Sequence, residues 1–241
     1  SDLSWDLELA RNFGEAESSD PDFEDVQHSG FLVYSCLGYE AGPINPMLAF
    51  LIASGNKVGL GAVENQDLAL NSSRNKAFSY YSPLNNNLGD SISSSNADML
   101  PIVAMGGGYG LNYGVPRPGT FASADFEDLI MPTLGFDLKI RDDLTLGVYG
   151  YYLMAFTKPA GMLNGEARYL SRELGSEIDM FLDYRINKNI LISLLGGYFL
   201  PGRYFKELRD DAGGSLFNPF VRGDGETDSA YQIECSLEFK F

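Results

Sequence analysis

The chain has 241 residues, of which 33 are acidic and 17 basic, so its formal net charge is −16. This acidity argues against nucleic acid as a partner, because phosphate selects clusters of Lys and Arg. The 16 Phe, 14 Tyr and 1 Trp supply enough apolar area to order the backbone, which excludes a disordered acidic chain. The longest uninterrupted apolar stretch, 46–53, has eight residues, whereas a membrane helix needs ~18–20. Helical membrane spans are therefore excluded, but strands that cross a bilayer are not.

Alternation of apolar and polar residues starts near the beginning of the chain, from Leu3 to Leu9, and recurs at 134–140, 144–154 and 178–186. A period of two puts successive side chains on opposite faces of a strand. Other segments are more uniformly apolar but rich in Val, Ile, Leu, Phe and Tyr, the residues that strands favour. Each run is close to the ~9–11 residues that a tilted strand needs to cross a bilayer. We predict eight strands, at 2–13, 26–39, 46–54, 127–140, 144–156, 176–186, 189–200 and 229–241.

The last predicted strand has the clearest alternation. From Tyr231 onward the odd positions are apolar or aromatic and the even positions are polar, and the final residue is aromatic. An aromatic last strand is typical of bacterial outer-membrane barrels. We therefore predict that the odd face of this strand contacts lipid, through Leu237, Phe239 and Phe241.

The connections between the predicted strands alternate between short and long. The short ones are 40–45 (EAGPIN), 141–143 (RDD) and 187–189 (NKN), and all are rich in turn-forming residues. An antiparallel barrel with tight periplasmic turns and large extracellular loops produces this order. We therefore predict that 1–241 is a single all-β domain, an antiparallel transmembrane β-barrel of outer-membrane type with about eight strands in this chain. The long loops are 14–25, 55–126, 157–175 and 201–227, and the apolar stretch 99–113 is assigned to the second of them.

Two segments resemble a known family. Segment 175–205 (GSEIDMFLDYRINKNILISLLGGYFLPGRYF) resembles the last hairpin of the alginate-export family of outer-membrane porins, with an acidic strand start, an Asn-containing turn and an aromatic–Pro–Gly exit. Segment 46–56 (PMLAFLIASGN) is similar to that family's Pro-led strand ending in Ala-Ser-Gly. The resemblance covers 26–241, with insertions in the loops. It implies a large antiparallel barrel in the outer membrane that passes a polysaccharide or another hydrophilic solute.

The chain departs from that family in strand number and in charge. Family members have far more strands than eight, and the interior of an eight-stranded barrel is only wide enough to be filled by side chains. The chain is therefore either the C-terminal portion of a larger barrel or a barrel that closes alone and conducts little. We favour the first interpretation, because the first residues show no plug, linker or capping turn. Export of a polyanion would also favour a basic lumen, whereas this one is predicted to be acidic.

The polar faces of the clearest strands supply the candidate pore-lining residues. Eight acids and three bases give this part of the wall a charge of 3 − 8 = −5, which favours cations or neutral sugars. The first functional hypothesis is a channel that passes hydrophilic solutes or a polysaccharide. The alternative is a structural or surface-display barrel with a filled interior, whose long loops bind a partner. The candidates are Asp6, Glu8, Asp137, Lys139, Glu177, Asp179, Asp183, Arg185, Glu234, Glu238 and Lys240.

No motif indicates an enzyme, a resident cofactor or a metal site, so no catalytic residue is predicted. Residues 106–110 (GGGYG) lack the Lys-Ser/Thr of a phosphate-binding loop, and His28 is the only histidine. Cys36 and Cys235 are predicted to be free and to face opposite sides of the sheet, without the spacing of a zinc site.

The acidic segment 15–25 could bind Ca²⁺ or bridge to lipopolysaccharide through divalent ions, but its spacing matches no calcium loop, and a solvated loop is the simpler interpretation. The predicted partners are outer-membrane lipid, lipopolysaccharide and the solute. The predicted location is the bacterial outer membrane, and no oligomeric state is predicted.

Overall fold

The computed structural model describes residues 2–16, 26–55, 74–75, 128–163, 166–209 and 229–239. Almost all regular structure in these ranges is β. No helix among the described residues is both long and apolar enough to cross a membrane. In chain order the elements are β1 (Leu3–Arg11), β2 (Gly14–Ala16), β3 (Val26–His28), β4 (Phe31–Tyr39), β5 (Ile44–Ala53), β6 (Arg74–Asn75), β7 (Leu129–Arg141), β8 (Leu144–Ala155), β9 (Ala160–Leu163), β10 (Glu166–Tyr169), β11 (Glu173–Asn187), β12 (Ile190–Pro201), α1 (Arg203–Arg209) and β13 (Ala230–Phe239).

Eight strands form one antiparallel sheet in the order β1-β4-β5-β7-β8-β11-β12-β13. Every pair of neighbours in this sheet is antiparallel, and the sheet order follows the chain order, so the sheet is a meander. The predicted all-β chain with eight antiparallel strands is confirmed at this level. The sheet is not closed, however, because β1 and β13 are its two edges and do not pair with each other within the described residues.

The three short connections lie at one end of the sheet, as predicted. Two of them have only two residues, 142–143 and 188–189, and the third spans 40–43. In the 188–189 turn the Asn189 amide donates a hydrogen bond to Oδ1 of Asn187 at 2.8 Å, so the asparagine side chain holds the tight reversal. This end is called the short-turn end below, and the opposite end the long-connection end.

All four segments predicted to be long loops contain regular structure within the described residues, since 55–126 holds β6. The 157–175 segment holds the β9–β10 hairpin and the first residues of β11, and the 201–227 segment begins with α1. The 14–25 segment holds β2, which pairs with β3 and, through it, with β6 in a separate three-stranded sheet. The predicted strand 26–39 is therefore wrong as a continuous element, since β3 belongs to the three-stranded sheet and only β4 belongs to the large sheet. These elements escaped prediction because strands of three or four residues are too short to display a period. The 99–113 stretch lies outside the described residues.

The two faces of the large sheet differ in burial. One face carries buried side chains from β4, β5, β7, β8, β11 and β12, which pack into one cluster, so the sheet curls around this inner face. The other, outer face carries apolar side chains that stay exposed: Leu134 in the middle of β7 is 66 % exposed and Ile178 on β11 is 56 % exposed. The alternation in the sequence therefore maps onto two distinct surfaces.

A tyrosine on the inner face requires a glycine on the neighbouring strand. The ring of Tyr149 lies across Gly135, where an added Cβ would clash with Cδ1 of the ring and would be 2.8 Å from the carbonyl oxygen of Val148. The hydroxyl of Tyr149 donates a hydrogen bond to Asp137, and its ring meets that of Phe181 edge-on, with centroids 5.7 Å apart. Gly135 therefore allows the large ring to lie flat against the wall.

Gly135→Ala is expected to destabilise the fold by about 1–3 kcal/mol, because the new methyl group overpacks a filled site. Gly150→Ala is the matched control, since its added Cβ would come no closer than 3.7 Å to the carbonyl oxygen of Leu134. Urea unfolding of both variants, followed by the mobility of folded and unfolded protein on gels, measures the difference. Equal midpoints would show that the Tyr149 ring moves aside without cost.

Candidate functional site

The inner face divides into an apolar half and a polar half. Toward the long-connection end it is lined by buried apolar side chains. Toward the short-turn end it carries carboxylates, hydroxyls and amides at neighbouring register positions, for example Asp183 opposite Ser193 and Ser193 opposite Ser236. The apolar residues include Leu32, Leu51, Leu129, Leu153 and Phe199.

Three predicted pore-lining acids lie half-buried in the polar half, and each accepts a hydrogen bond. Asp137 accepts one from the hydroxyl of Tyr149, and Asp183 accepts one from Oγ of Ser193 at 2.5 Å. Glu234 accepts one from the side-chain amide of Gln232. Such bonds offset the cost of moving a carboxylate partly out of water. The inner face thus holds a band of oriented carboxylates on β7, β11 and β13.

Two further predicted acids are more completely buried than these three. Glu177 is 1 % exposed and Asp179 is 0 % exposed, and both belong to β11. Glu177 stands between Tyr151 of β8 and Phe199 of β12 in the register of the sheet. Their burial sets these two carboxylates apart from the three in the polar half.

The remaining predicted pore-lining residues lie at an edge or at the short-turn end. Asp6 is exposed and Glu8 half-buried on the edge strand β1, where they pair with Cys36 and Tyr34 of β4. Lys139, Arg185 and Glu238 are exposed near the short turns. The register shifts just after Lys139 on β7 and just after Arg185 on β11, so strict alternation ends there. Lys240 lies outside the described residues, as does Phe241 of the predicted lipid-facing set.

Ion pairs lie at the short-turn end. Nζ of Lys139 lies 2.8 Å from Asp142, and Nε of Arg141 lies 3.0 Å from Asp143. The hydrogen bond from Lys139, reinforced by its charge, holds the pKa of Asp142 below its usual value. The small stabilisation that this pair provides is therefore present at neutral pH and is lost as the pH falls through the lowered pKa. Arg141 also stacks over the ring of Tyr184, 5.7 Å from its centroid.

The outer face of β13 carries the predicted lipid-facing residues. Leu237 and Phe239 are 54 % and 52 % exposed on the same face as Tyr231 and Ile233. Cys235 shares this exposed face, whereas Cys36 is buried on the inner face, so the two free cysteines lie on opposite faces as predicted.

Exposed aromatic residues occur at both ends of the outer face. At the long-connection end the exposed Phe31 meets the half-buried Phe156 edge-on, with centroids 5.7 Å apart, and Tyr198 pairs with Tyr231 across β12 and β13. At the short-turn end stand Tyr39, Tyr184 and Phe239. The middle of the face is largely Leu, Ile, Val and Met, with Phe50 and Phe136 among them.

Asp128 forms an anchor at the long-connection end that was not predicted from the sequence. Asp128 has a positive φ of 55° and accepts a hydrogen bond from the Thr157 amide at 2.7 Å. Its own amide donates to the carbonyl oxygen of Ser54 at 3.2 Å, and Oγ of Ser54 accepts from the Phe31 amide at 2.7 Å. These bonds tie together the ends of β5, β7 and β8. An aspartate immediately before an apolar run was the one sequence signal of this arrangement.

Asp128→Ala is expected to lower the free energy of unfolding by about 2 kcal/mol, because it leaves the Thr157 amide without its charged acceptor. Asp128→Asn should cost much less, since asparagine keeps an acceptor oxygen and tolerates positive φ. Urea unfolding of the two variants compares them. A loss as large for asparagine as for alanine would show that the charge, and not the backbone geometry, stabilises this corner.

A cap covers the inner face at the long-connection end. The cap consists of the β9–β10 hairpin and α1, and α1 contacts β9, β11 and β12. Tyr204 and Phe205 of α1 are both 1 % exposed, and the Phe205 ring meets that of Phe199 edge-on with centroids 6.2 Å apart. Both parts of the cap lie in segments predicted to be loops, and Tyr-Phe followed by Lys-Glu-Leu is too short a pattern to predict a helix by itself.

No group of three or more His, Cys, Asp and Glu side chains within the described ranges is placed to hold a metal ion. No protein-family model matches this chain, and a comparison with curated proteins finds no significant match. The resemblance to alginate-export porins therefore stays a prediction that depends on the two segments quoted for it.

Proposed function

We propose that this chain forms the wall of a bacterial outer-membrane β-barrel that passes hydrophilic solutes, a polysaccharide among them, along its inner face. The observation that carries the proposal is the outer face, to which every one of the eight strands of the large sheet contributes at least one exposed apolar residue. Apolar patches on proteins surrounded by water rarely exceed a few hundred Å². Lipid is the partner that matches an apolar surface of this extent.

The dimensions of the outer face support the same proposal. Tyr231 and Phe239 stand near the two ends of β13, eight residues apart. At about 3.3 Å per residue, and with the strand tilted by about 40°, they are separated by roughly 20 Å along the membrane normal, near the ~25 Å height of the apolar band of such barrels. Aromatic residues at both ends correspond to the girdles that mark the two membrane interfaces.

A membrane location also requires that the two edge strands of the sheet be paired. Backbone groups in hydrocarbon must be paired, so an open edge is not tolerated there. In the membrane β1 and β13 therefore pair, either with each other or with further strands. The second arrangement gives a wider lumen, as the resemblance to the alginate-export family implies.

The inner face supports passage of cations or neutral sugars. The half-buried carboxylates of Asp137, Asp183 and Glu234 are hydrogen-bonded in fixed positions in its polar half. Rings of carboxylates lining a narrow passage attract cations and repel anions. Outer-membrane lipid and lipopolysaccharide are the partners of the outer face under this proposal.

A filled barrel that displays its long loops is the second candidate, and one observation favours it. Tyr149, Phe181 and Phe199 pack on the inner face, and Glu177 and Asp179 beside them are almost completely buried. A barrel of eight strands closed in this way would hold side chains in place of a water path.

Conductance distinguishes the two candidates. The full-length protein, folded in detergent and verified by its heat-dependent mobility on gels, is inserted into a planar lipid bilayer. Stepwise ionic conductance supports solute passage. Folded, membrane-inserted protein without conductance would contradict it and favour the filled barrel.

The proposed orientation predicts that residues 55–126 face the cell exterior. Apart from 55 and 74–75, this segment lies outside the described residues, and the prediction depends on its Asn-, Ser- and Gly-rich composition. Protease added to intact cells should cut between Asn71 and Asn96. Cleavage that occurs only after lysis would contradict the orientation.

A further inference from the structure

The cap lies over the inner face and not beside it. Phe205 packs against Phe199, and Phe199 is the register partner of the buried Glu177. The ring of Phe199 in turn lies over Gly175, where an added Cβ would be 2.7 Å from the ring and where φ is +148°, a value that L side chains rarely adopt. These contacts form a continuous stack from the wall through Phe199 to α1.

The chain turns sharply from β12 into α1 so that the helix folds inward. The Gly202 amide donates a hydrogen bond to the carbonyl oxygen of Leu174 at 2.8 Å. An added Cβ at Gly202 would stand 2.8 Å from backbone atoms of Leu174 and Gly175. The close crossing of these two backbones fixes the point at which the helix leaves the wall.

A single carboxylate connects α1 to the hairpin side of the cap. Oε2 of Glu207 accepts a hydrogen bond from the Ser171 amide at 2.5 Å, and Oε1 lies 2.8 Å from Nε of Arg203, one helical turn earlier. Glu207 is only partly buried, with 23 % of its side chain exposed. The hairpin itself is tied to β8 by Arg172, whose Nε and carbonyl oxygen both bond to the backbone of Ala155.

We propose that the cap is a lid that closes the long-connection end of the inner face, with Glu207 as its latch. Solute reaches Glu177 and the polar half beyond it only when α1 is displaced from Phe199. This inference rests on the proposed function, because a lid matters only where something passes. The lid adds to the proposed function a specific element, α1, that limits the passage of solute.

The first test compares conductance with and without the aromatic part of the lid. The double variant Tyr204→Ala, Phe205→Ala removes the two buried rings of α1 and should raise the single-channel conductance severalfold. Phe156→Ala is the matched control, since it removes an equivalent edge-on contact with Phe31 on the outer face at the same end. A double variant that conducts like the unchanged protein and the control would contradict the lid.

The second test reports on the lid without requiring conductance. Glu177→Cys is introduced after Cys36→Ser and Cys235→Ser, and the folded protein is treated with a water-soluble maleimide. The new thiol should stay unlabelled under the intact lid and become labelled in the Tyr204→Ala, Phe205→Ala background. Because the double variant could fail to fold, Glu207→Ala is the second variant: it removes the latch, leaves the aromatic rings in place and should give intermediate labelling.

The two tests separate the lid from the proposed function. A thiol that becomes reactive when the lid is altered, in a protein that never conducts, would support the lid and reject solute passage. Conductance in the unchanged protein, with labelling and conductance both insensitive to the lid variants, would support solute passage and overturn the lid.

Discussion

Leu237→Arg is expected to lower the free energy of unfolding of the membrane-inserted protein by about 2–4 kcal/mol. This is the cost of placing an arginine on the lipid face of a barrel near the bilayer midplane. Leu237 is 54 % exposed on the outer face of β13. Because Phe239 two residues further on stands near the rim, the effect should fall toward the lower end of that scale. Comparing folded fractions across a urea series in detergent or lipid measures the loss.

Ser236→Arg is the matched control, one residue away on the other face. Ser236 pairs with Ser193, whose hydroxyl donates to Asp183, so an arginine there points toward a carboxylate. Its cost should be much smaller than that of Leu237→Arg. Equal losses, or a larger loss for Ser236→Arg, would contradict the assignment of the outer face to lipid.

Reversal potentials under a salt gradient should show a preference for cations. The acids expected to set this preference are Asp137, Asp183 and Glu234, because they are half-buried in the polar half of the inner face. A passage narrower than about 8 Å, the Debye length at physiological salt, leaves such charges poorly screened. Asp183→Asn together with Glu234→Gln should therefore shift the reversal potential toward zero.

Asp143→Asn is the control for this measurement, since Asp143 lies in the 142–143 turn and its charge is paired with that of Arg141. It should leave the selectivity nearly unchanged. Anion selectivity of the unchanged protein would show that these carboxylates do not determine the electrostatic potential in the passage. Export of a polyanion would then be the leading function.

The sequence was enough to assign side chains to the inner or the outer face, but it did not show how deeply each side chain is buried. Alternation put Glu177, Asp179 and Asp183 on one face of β11 and Ile178 and Met180 on the other, and the observed burial agrees. Nothing in the alternation distinguishes the fully buried Asp179 from the half-buried Asp183. That difference arises from their neighbours across the sheet, which belong to β8 and β12.

Two of the features that the sequence missed, the Asp128 anchor and the position of α1, depend on contacts distant in the chain. Asp128 pairs with Ser54 and Thr157, which are 74 and 29 residues away. The helix α1 is held by Phe199 and by the amide of Ser171, from a segment predicted to be loop. A helix of seven residues has little stability of its own, so its sequence alone does not predict it.

By itself the sequence determined that this chain forms β-strands, which side chains share a face, and that short turns alternate with long connections. These properties are local, because the period of two and the turn-forming residues act over a few neighbouring positions. Only the tertiary structure decided the register of the strands, the open edges at β1 and β13, the burial of Glu177 and Asp179, and the inward fold of the cap. Each of these depends on packing between segments far apart in the chain, where the shape and volume of the partners choose among the arrangements that alternation permits.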